Sequence, residues 1–442
     1  MADEVAAATI FEEKRWCWRS SFFRGLSRQS RVRAACLESL RNMSSRKTKP
    51  KQLIITNTMK KQVYYIGLDV HKETVAIAFI QSNSRAEATY HGTCAGSNPA
   101  VENALRKLAK KLKVKFQDLK ICYEAGPTGF VLGRRLIQLG LDCVLCAPSK
   151  TERQPGDKIK TDKRDAQKLA KMFKNGDITT VRIPPELDEA VRDVCRARTD
   201  AVDDLARSKQ RLGAFLLRHG FRYSESTRWS AAHMRYLREL TMPTDAQKVV
   251  MEFYLQTIET YDSRAAELKE KLIELLQDWE WKPVVDALMG CKGFQEVAAT
   301  TLISELGDLR RFENPRKLMA FVGLVPTEHS SGGTRRQGSI TKCGNSHARW
   351  MLVECAQHFR KSPKIGAPLT TRQQGLSSEV KALSWRMQNR LHKRYVKLKV
   401  RGKHENKCMV AIAREIVAFI WELQNKCGLS IPEPSIATTQ SH

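Results

Sequence analysis

From Val63 onward, short apolar runs alternate with stretches of helical spacing, and the pattern predicts a definite order of elements. Strands are expected at 63–70 ("VYYIGLDV"), 73–81 ("ETVAIAFIQ") and about 87–93, rich in β-branched and aromatic residues and joined by tight connections. A helix follows at "NPAVENALRKLAKKL", then a strand at "DLKICYEA", a helix at "GFVLGRRLIQLG" and a strand at "DCVLCAP". Two tight connections followed by helical crossovers predict a mixed sheet. In "KIKTDKRDAQKLAKMF", Ala166, Leu169, Ala170 and Phe173 recur at helical spacing, with Thr161 or Asp162 placed to cap the first turn.

The spacing then lengthens. Val191, Val194, Ala201, Leu205, Leu212 and Leu216 lie near heptad positions between about 187 and 223, and a second such stretch covers 253–279. Two long helices are expected, pairing as an antiparallel arm or between subunits, with the Trp-, Arg- and Ser-rich segment 223–245 as the tip. "LMGCKGFQEVAATTLISELGDLRRF" (288–312) opens a further unit, with Gly290 and Gly293 flanking a short turn before an apolar helix. That is the form of a helix-hairpin-helix element, which grips phosphate through backbone N–H groups; a plain helical turn fits as well. Near the end a basic segment precedes an apolar helix in "LSWRMQNRLHKRYVKLKVRGKHENKCMVAIAREIVAFIWEL", and the last fifteen residues read as a loose tail.

Charge changes the picture more than composition does. Lys and Arg number 76 against 47 Asp and Glu, a net +29 spread along the whole length, and the natural partner of such a surface is a polyanion. No run of eighteen apolar residues occurs, which argues against a membrane partner. Twelve irregularly spaced cysteines without a secretory leader read as reduced thiols. The pair Cys143 and Cys146 has metal spacing but no second pair at a matching offset, so a buried strand is the better account than zinc. Residues 1–58 are Arg- and Ser-rich without periodicity, and Met59 is a candidate initiator; the alternatives are a basic nucleic-acid-binding arm or, more weakly, an organelle presequence.

By order of elements the first part resembles the ribonuclease H-like (RuvC-like) fold. There the first and fourth strands lie side by side, so Asp69 and Glu124 of "YEAGP" are expected to face each other near the strand ends. A buried carboxylate is costly, and two brought together repel unless a cation sits between them. Asp162 and Asp165, three apart on one helical face, add two more acids at a helix start. Four such carboxylates form the oxygen-rich set that Mg²⁺ or Mn²⁺ needs to clamp a phosphodiester. Downstream, in "FVGLVPTEHSSGGTRRQGSITKCGNSHARWMLVECAQHF", Ser330 and Ser331 precede paired glycines, with Arg335, Arg336, Lys342 and Arg349 close behind. A serine hydroxyl there could attack the phosphodiester while the cations stabilise the phosphoryl charge; a loop that only binds phosphates is the alternative.

"GLDVHK", "YEAGP", "KTDKRDA", "GLVPTEHSSGG" and "GSITKCGN" in that order resemble the bridge-RNA-guided DEDD transposases of bacterial insertion sequences, IS one-ten type, over roughly Val63 to Leu423. The resemblance implies a basic arm or untranslated stretch (1–58), a ribonuclease H-like DEDD domain (59–184), a coiled-coil arm (185–283), a mainly helical serine-bearing transposase domain (284–425) and a tail (426–442). It implies Asp69, Glu124, Asp162 and Asp165 as metal ligands and Ser331 as nucleophile, with Ser330 in competition because two serines stand where one is needed. A noncoding guide RNA, a homo-oligomer and a bacterial cytoplasmic, nucleoid-associated location are implied as well. The rival functions are a Holliday-junction resolvase-like nuclease, which needs the acids and no serine, and a non-catalytic nucleic-acid-binding protein.

Overall fold

The computed structural model describes residues 62–147, 161–224, 227–328 and 336–432. The expected arm 1–58, Ser330, Ser331, Arg335 and the end of the tail lie outside the described residues. Strands β1 (Tyr64–Val70), β2 (Thr74–Gln81), β3 (Thr89–Ala95), β4 (Leu119–Glu124), β5 (Asp142–Cys146) and β6 (Thr180–Val181) form one sheet in the order β3-β2-β1-β4-β5-β6. The pairs β1/β2 and β2/β3 are antiparallel and β1/β4 and β4/β5 parallel, as tight connections and helical crossovers respectively require. Helices α1 (Asn98–Leu112) and α2 (Val131–Gln138) supply the crossovers, and α3 (Asp162–Asn175) follows β5. The mixed sheet is the one the sequence pattern predicts; the two-residue β6 is additional.

The faces of the sheet differ in residue size. Ile66, Leu68, Ile121 and Tyr123 point into a core with Val101, Leu105 and Leu108 of α1 and Leu132 and Leu136 of α2. The opposite face offers Gly67, Ala76, Ala78 and Cys122, and α3 lies on it through Ala166, Leu169 and Ala170. A Cβ on Gly67 would stand 2.2 Å from the Ala166 carbonyl oxygen and 2.5 Å from the Ala170 nitrogen. Glycine is required there by close approach, which lets the helix sit directly on β1.

Two long helices follow, α4 (Glu186–Arg218) and α6 (Asp245–Asp278), with the short α5 (Ala231–Glu239) between them. They run antiparallel: the Trp279 indole N–H donates to Asp188 at 2.9 Å at one end, and Gln247 meets His219 at 3.0 Å at the other. Met251, Ile258, Ala265 and Leu272 of α6 are buried at intervals of seven, facing Leu205, Leu212 and Phe215 of α4 near the tip. The pairing is therefore within the chain, and α5 closes the tip with Leu237 and His233 buried.

The remaining part is mostly helical: α7 (Lys282–Met289), α8 (Glu296–Leu306), α9 (Pro315–Phe321), α10 (Ser346–Ala356), α11 (Ala367–Arg372), α12 (Ser378–Val400) and α13 (Glu405–Lys426), with one two-stranded ribbon, β7 (Pro326–Glu328) and β8 (Gln337–Ile340). Helix α13 is central, burying Cys408, Met409, Ile412, Ile416, Ile420 and Leu423 in a core that also takes Val191, Cys195 and Trp279 from the base of the long helices. The turn between α7 and α8 is present as expected, but it is anchored inward. The Gly290 carbonyl accepts from Ser384 Oγ at 2.9 Å and Gln373 Nε2 at 2.8 Å, and Gly293 (φ 92°) leaves only 3.0 Å between a Cβ and the Cys355 carbonyl oxygen. Both glycines are thus accounted for by internal packing. No helix among the described residues is long and apolar enough to cross a membrane.

Candidate functional site

The site grows from the end of β1. The parallel register with β4 runs to Leu68 opposite Tyr123, so Asp69 and Glu124 are the next residues on neighbouring strands. Strand alternation turns both toward the face that carries Gly67 and Cys122, which is the face under α3. Glu124 pairs in turn with Cys146 of β5.

Helix α3 begins where Thr161 caps it, the hydroxyl accepting from the Arg164 N–H at 3.4 Å, and ends at Gly176 with φ 80°. Because α3 touches β1 at Ala166 and Ala170, its first turn, one turn earlier, overhangs the end of that strand. Asp162 and Asp165 are on that turn, where unpaired backbone N–H groups favour negative charge. The close approach at Gly67 therefore sets the height of these acids above Asp69.

A residue not singled out from the sequence completes the cluster. His71 folds back so that Nε2 lies 3.2 Å from Asp69 Oδ2 and 3.7 Å from Asp162 Oδ1. Asp69, His71 and Asp162 are the group among the described residues whose ligand atoms all lie within 4.8 Å of one another. Asp69 is mostly covered, with 17% of its side chain exposed, whereas His71 and Asp162 open to solvent. Burial pushes the Asp69 carboxyl above the usual carboxylate range; His71 pulls it back by charge and hydrogen bond, and Asp165 and Asp162 push it up further. Asp165 is thus in electrostatic reach but outside the tight group, and Glu124 stands at the adjacent strand end, also outside it.

Three donors at this spacing, on a carboxylate that resists ionising, fit a divalent cation. Asp69, Asp162 and His71 would hold it, with Asp165 and Glu124 beside them. The one sequence signal for His71 was its place two residues after the strand-end acid in "GLDVHK".

The cationic residues expected in the second half are placed differently from one another. Arg336 is exposed just before β8, and Lys342 is exposed just after it with the left-handed φ of 56°. Arg349 spends one nitrogen internally, Nη1 donating to the Val322 carbonyl at 2.9 Å and the Cys343 carbonyl at 3.3 Å. The Cys143 and Cys146 thiols are free and buried on β5, consistent with a strand; burial pushes Cys146 up to about 12.

Residues 66–221 match a family model for DEDD transposases, and residues 285–367 match the model described as "Transposase IS116/IS110/IS902 family". An acid-lined strand end under a helix start, in a chain with these two matches, defines an enzyme class that processes DNA, the transposases. The putative transposase y4qE of Sinorhizobium fredii is 38% identical over 359 residues, covering 81% of this chain and 88% of the relative. The transposase for insertion sequence element IS1533 of Leptospira borgpetersenii is 32% identical, covering 78% of this chain and 99% of the relative. A probable family 20 transposase of Pseudomonas aeruginosa is 25% identical over 66% of this chain and 82% of its own length. The chain belongs to the IS116/IS110/IS902 family of insertion-sequence transposases.

Proposed function

We propose that this transposase is a recombinase that cuts and rejoins DNA strands with two sets of residues, the acids Asp69, Glu124, Asp162 and Asp165 and a serine nucleophile, Ser331 or its neighbour Ser330. The observation that carries the reading is the meeting of Asp69 with the acidic first turn of α3 across Gly67. A Mg²⁺ or Mn²⁺ ion held there would supply charge to a phosphodiester oxygen. Asp69, Asp162 and His71 would hold it, and the His71 hydrogen bond to Asp69 would also fix the rotamer of that carboxylate.

In the reaction the serine hydroxyl oxygen forms a bond to phosphorus, and the bond from phosphorus to a deoxyribose oxygen breaks. The departing oxygen takes up the proton that the serine gives up, so the ester energy is kept in a phosphoserine link and resealing reverses the step. Arg336 and Lys342, both exposed, would contact the phosphate backbone. Base pairing by a noncoding guide RNA supplies sequence choice, and a homo-oligomer holds the two duplexes where the cell's DNA lies, at the nucleoid.

The test is recombination between two plasmids by the full chain, with Asp69→Asn, Ser331→Ala and Ser330→Ala. Loss with Asp69→Asn and with one serine variant, together with a trapped phosphoserine–DNA adduct, is the expected result. Metal-dependent cutting that survives both serine changes would instead make it a resolvase-like nuclease. Binding without cutting by the unsubstituted chain would make it a non-catalytic binder.

A further inference from the structure

Outside the acid cluster, the carboxylate of Glu305 is a fully covered charged group that gathers partners from two other parts of the chain. It lies in the last turn of α8, and none of its side chain is exposed. Arg196 of α4 grips it with two prongs, Nε to Oε1 at 2.7 Å and Nη2 to Oε2 at 3.0 Å. Asn345 donates from Nδ2 to Oε2 at 2.7 Å, and the Arg192 guanidinium stands 3.9 Å away while donating to the Ser304 carbonyl at 3.1 Å. Burial alone would push this carboxyl up, but the hydrogen bonds from Arg196 and Asn345 and the charges of Arg196 and Arg192 outweigh it and hold the group below the usual carboxylate range.

Asn345 has a second duty. Its Oδ1 accepts from the Ala348 N–H at 2.9 Å, capping α10. The residues before it form a turn, Thr341–Asn345, that few sequences could adopt. Lys342 is left-handed at φ 56°, and Gly344 (φ 78°) has no room for a Cβ, which would come 1.9 Å from the Phe321 carbonyl oxygen. Gly323 (φ 68°) is pressed against the same turn, its Cβ position 2.2 Å from the Cys343 carbonyl oxygen. Backbone bonds pin the turn further, Thr341 N–H to Val325 O at 2.9 Å and Lys342 N–H to Gly323 O at 3.2 Å. A lysine held left-handed is strained, and such strain persists only where its surroundings over-determine it.

The start of α4, about two turns before Arg196, is tied to α2 of the sheet domain. Arg134 of α2 donates to the Pro184 carbonyl at 3.1 and 2.8 Å and pairs with Glu189. Polar contacts therefore run from the domain that carries Asp69, through the first turns of α4 (Glu189, Arg192 and Arg196), to the turn that carries Lys342. A buried ion pair is a poor source of net stability, because apolar groups of the same volume commonly do as well; what it supplies is direction.

We propose that Glu305 is a positioning residue: through Arg196 and Asn345 it fixes α4 against the Thr341–Asn345 turn, so that Lys342 meets a DNA phosphate in one orientation during strand cleavage. This rests on the DNA-cleaving function proposed above. Glu305 touches no substrate itself. It acts through the turn, and its loss leaves DNA binding in place while slowing the chemical step.

The experiment uses the full chain carrying Glu305→Gln, Arg196→Lys, and the apolar double variant Arg196→Met with Glu305→Leu. Three quantities are read: duplex affinity by anisotropy, single-turnover strand cleavage, and amide hydrogen exchange over 341–348. Glu305→Gln and Arg196→Lys should each speed exchange in the turn by about tenfold or more and slow cleavage by about tenfold, with duplex affinity changed less than about threefold. The double variant should regain thermal stability without regaining exchange protection or cleavage. Recovery of cleavage along with stability in the double variant overturns the proposal, as does Glu305→Gln behaving like the unsubstituted chain in exchange and cleavage. Should Glu305→Gln fail to fold, the double variant decides. If the unsubstituted chain cleaves no DNA, the proposed function fails, and the exchange comparison still decides whether Glu305 fixes the turn.

Discussion

Asp69 carries a carboxylate into a mostly covered position at the end of β1, and its proton affinity is raised by burial first and by Asp165 and Asp162 after it. A folded-state pKa above the ordinary 3.8 means that the folded protein binds this proton more tightly than the unfolded chain does. That contribution to stability is fully present below the ordinary value and is lost as pH rises through the raised one. At neutral pH without metal, Asp69→Asn should therefore raise the melting temperature by roughly 1–3 °C, and the gain should shrink toward pH 4. Melting curves at pH 4.5 and 7.5 with a chelator present check the sign; a lower melting temperature for the variant at pH 7.5 refutes it. Adding Mn²⁺ should stabilise the unsubstituted chain and not the variant. His71 adds a nitrogen donor to an oxygen-rich set, and imidazole suits Mg²⁺ less well than it does the transition metals. Mn²⁺ is accordingly expected to support more cleavage than Mg²⁺, and His71→Ala should weaken Mn²⁺ about tenfold with little change for Mg²⁺. Equal losses with both ions would show that His71 only orients Asp69.

One scale up, the acids meet because an element lies unusually close to a strand. At Gly67 the backbone of α3 occupies the space a side chain would need, so Gly67→Ala should push the helix off β1 and cost roughly 1–3 kcal/mol. The same change at Gly213, helical and with nothing within 4 Å of a Cβ, should stabilise by about 0.5–1 kcal/mol. Chemical denaturation of the two variants gives opposite signs if packing at Gly67 is as drawn, and metal-dependent cleavage falls only in the first. This also explains what the sequence disclosed. The order β1 to β5, the cap at Thr161 and the long helices were legible because each is written in local periodicity or in one capping residue. The adjacency of Asp69 and Glu124 followed once a topology was assumed. His71 was missed because its role depends on a turn that brings the ring back over the strand end, and β7 and β8 because three and four mostly polar residues carry no period. Glu305 was missed because "ISELGD" reads as an ordinary helix end, while Arg196 lies 109 residues and Asn345 40 residues away in the chain.

Across the whole molecule the excess of positive charge is divided into cations spent inside and cations left over. On α12, Arg386 pairs with Glu422, Arg390 and Arg394 with Glu415, and Lys399 with Glu405, so these four brace the helix against α13 and its start. Lys393, Lys397 and, just beyond the helix, Arg401 are exposed and have no acidic partner among the described residues. On the same helix Trp385 leaves 45% of its surface exposed, a flat face next to cations of the kind that nucleic acid favours. Each phosphate neutralised by a lysine or arginine releases counterions, so the logarithm of affinity should fall with the logarithm of salt by about 0.9 per contact. The unsubstituted chain, at net +29, should lose about a thousandfold or more in duplex affinity between 50 and 200 mM salt. Replacing Lys393, Lys397 and Arg401 by Gln should reduce that slope by about 2 to 3 and weaken unrelated duplexes alike, since phosphates carry no sequence. The fold should be untouched, because none of the three is buried or ion-paired among the described residues. Anisotropy titrations of two unrelated duplexes at four salt concentrations separate the outcomes: an unchanged slope removes this face of α12 from the DNA path, and a loss confined to one duplex would mean that it reads bases instead.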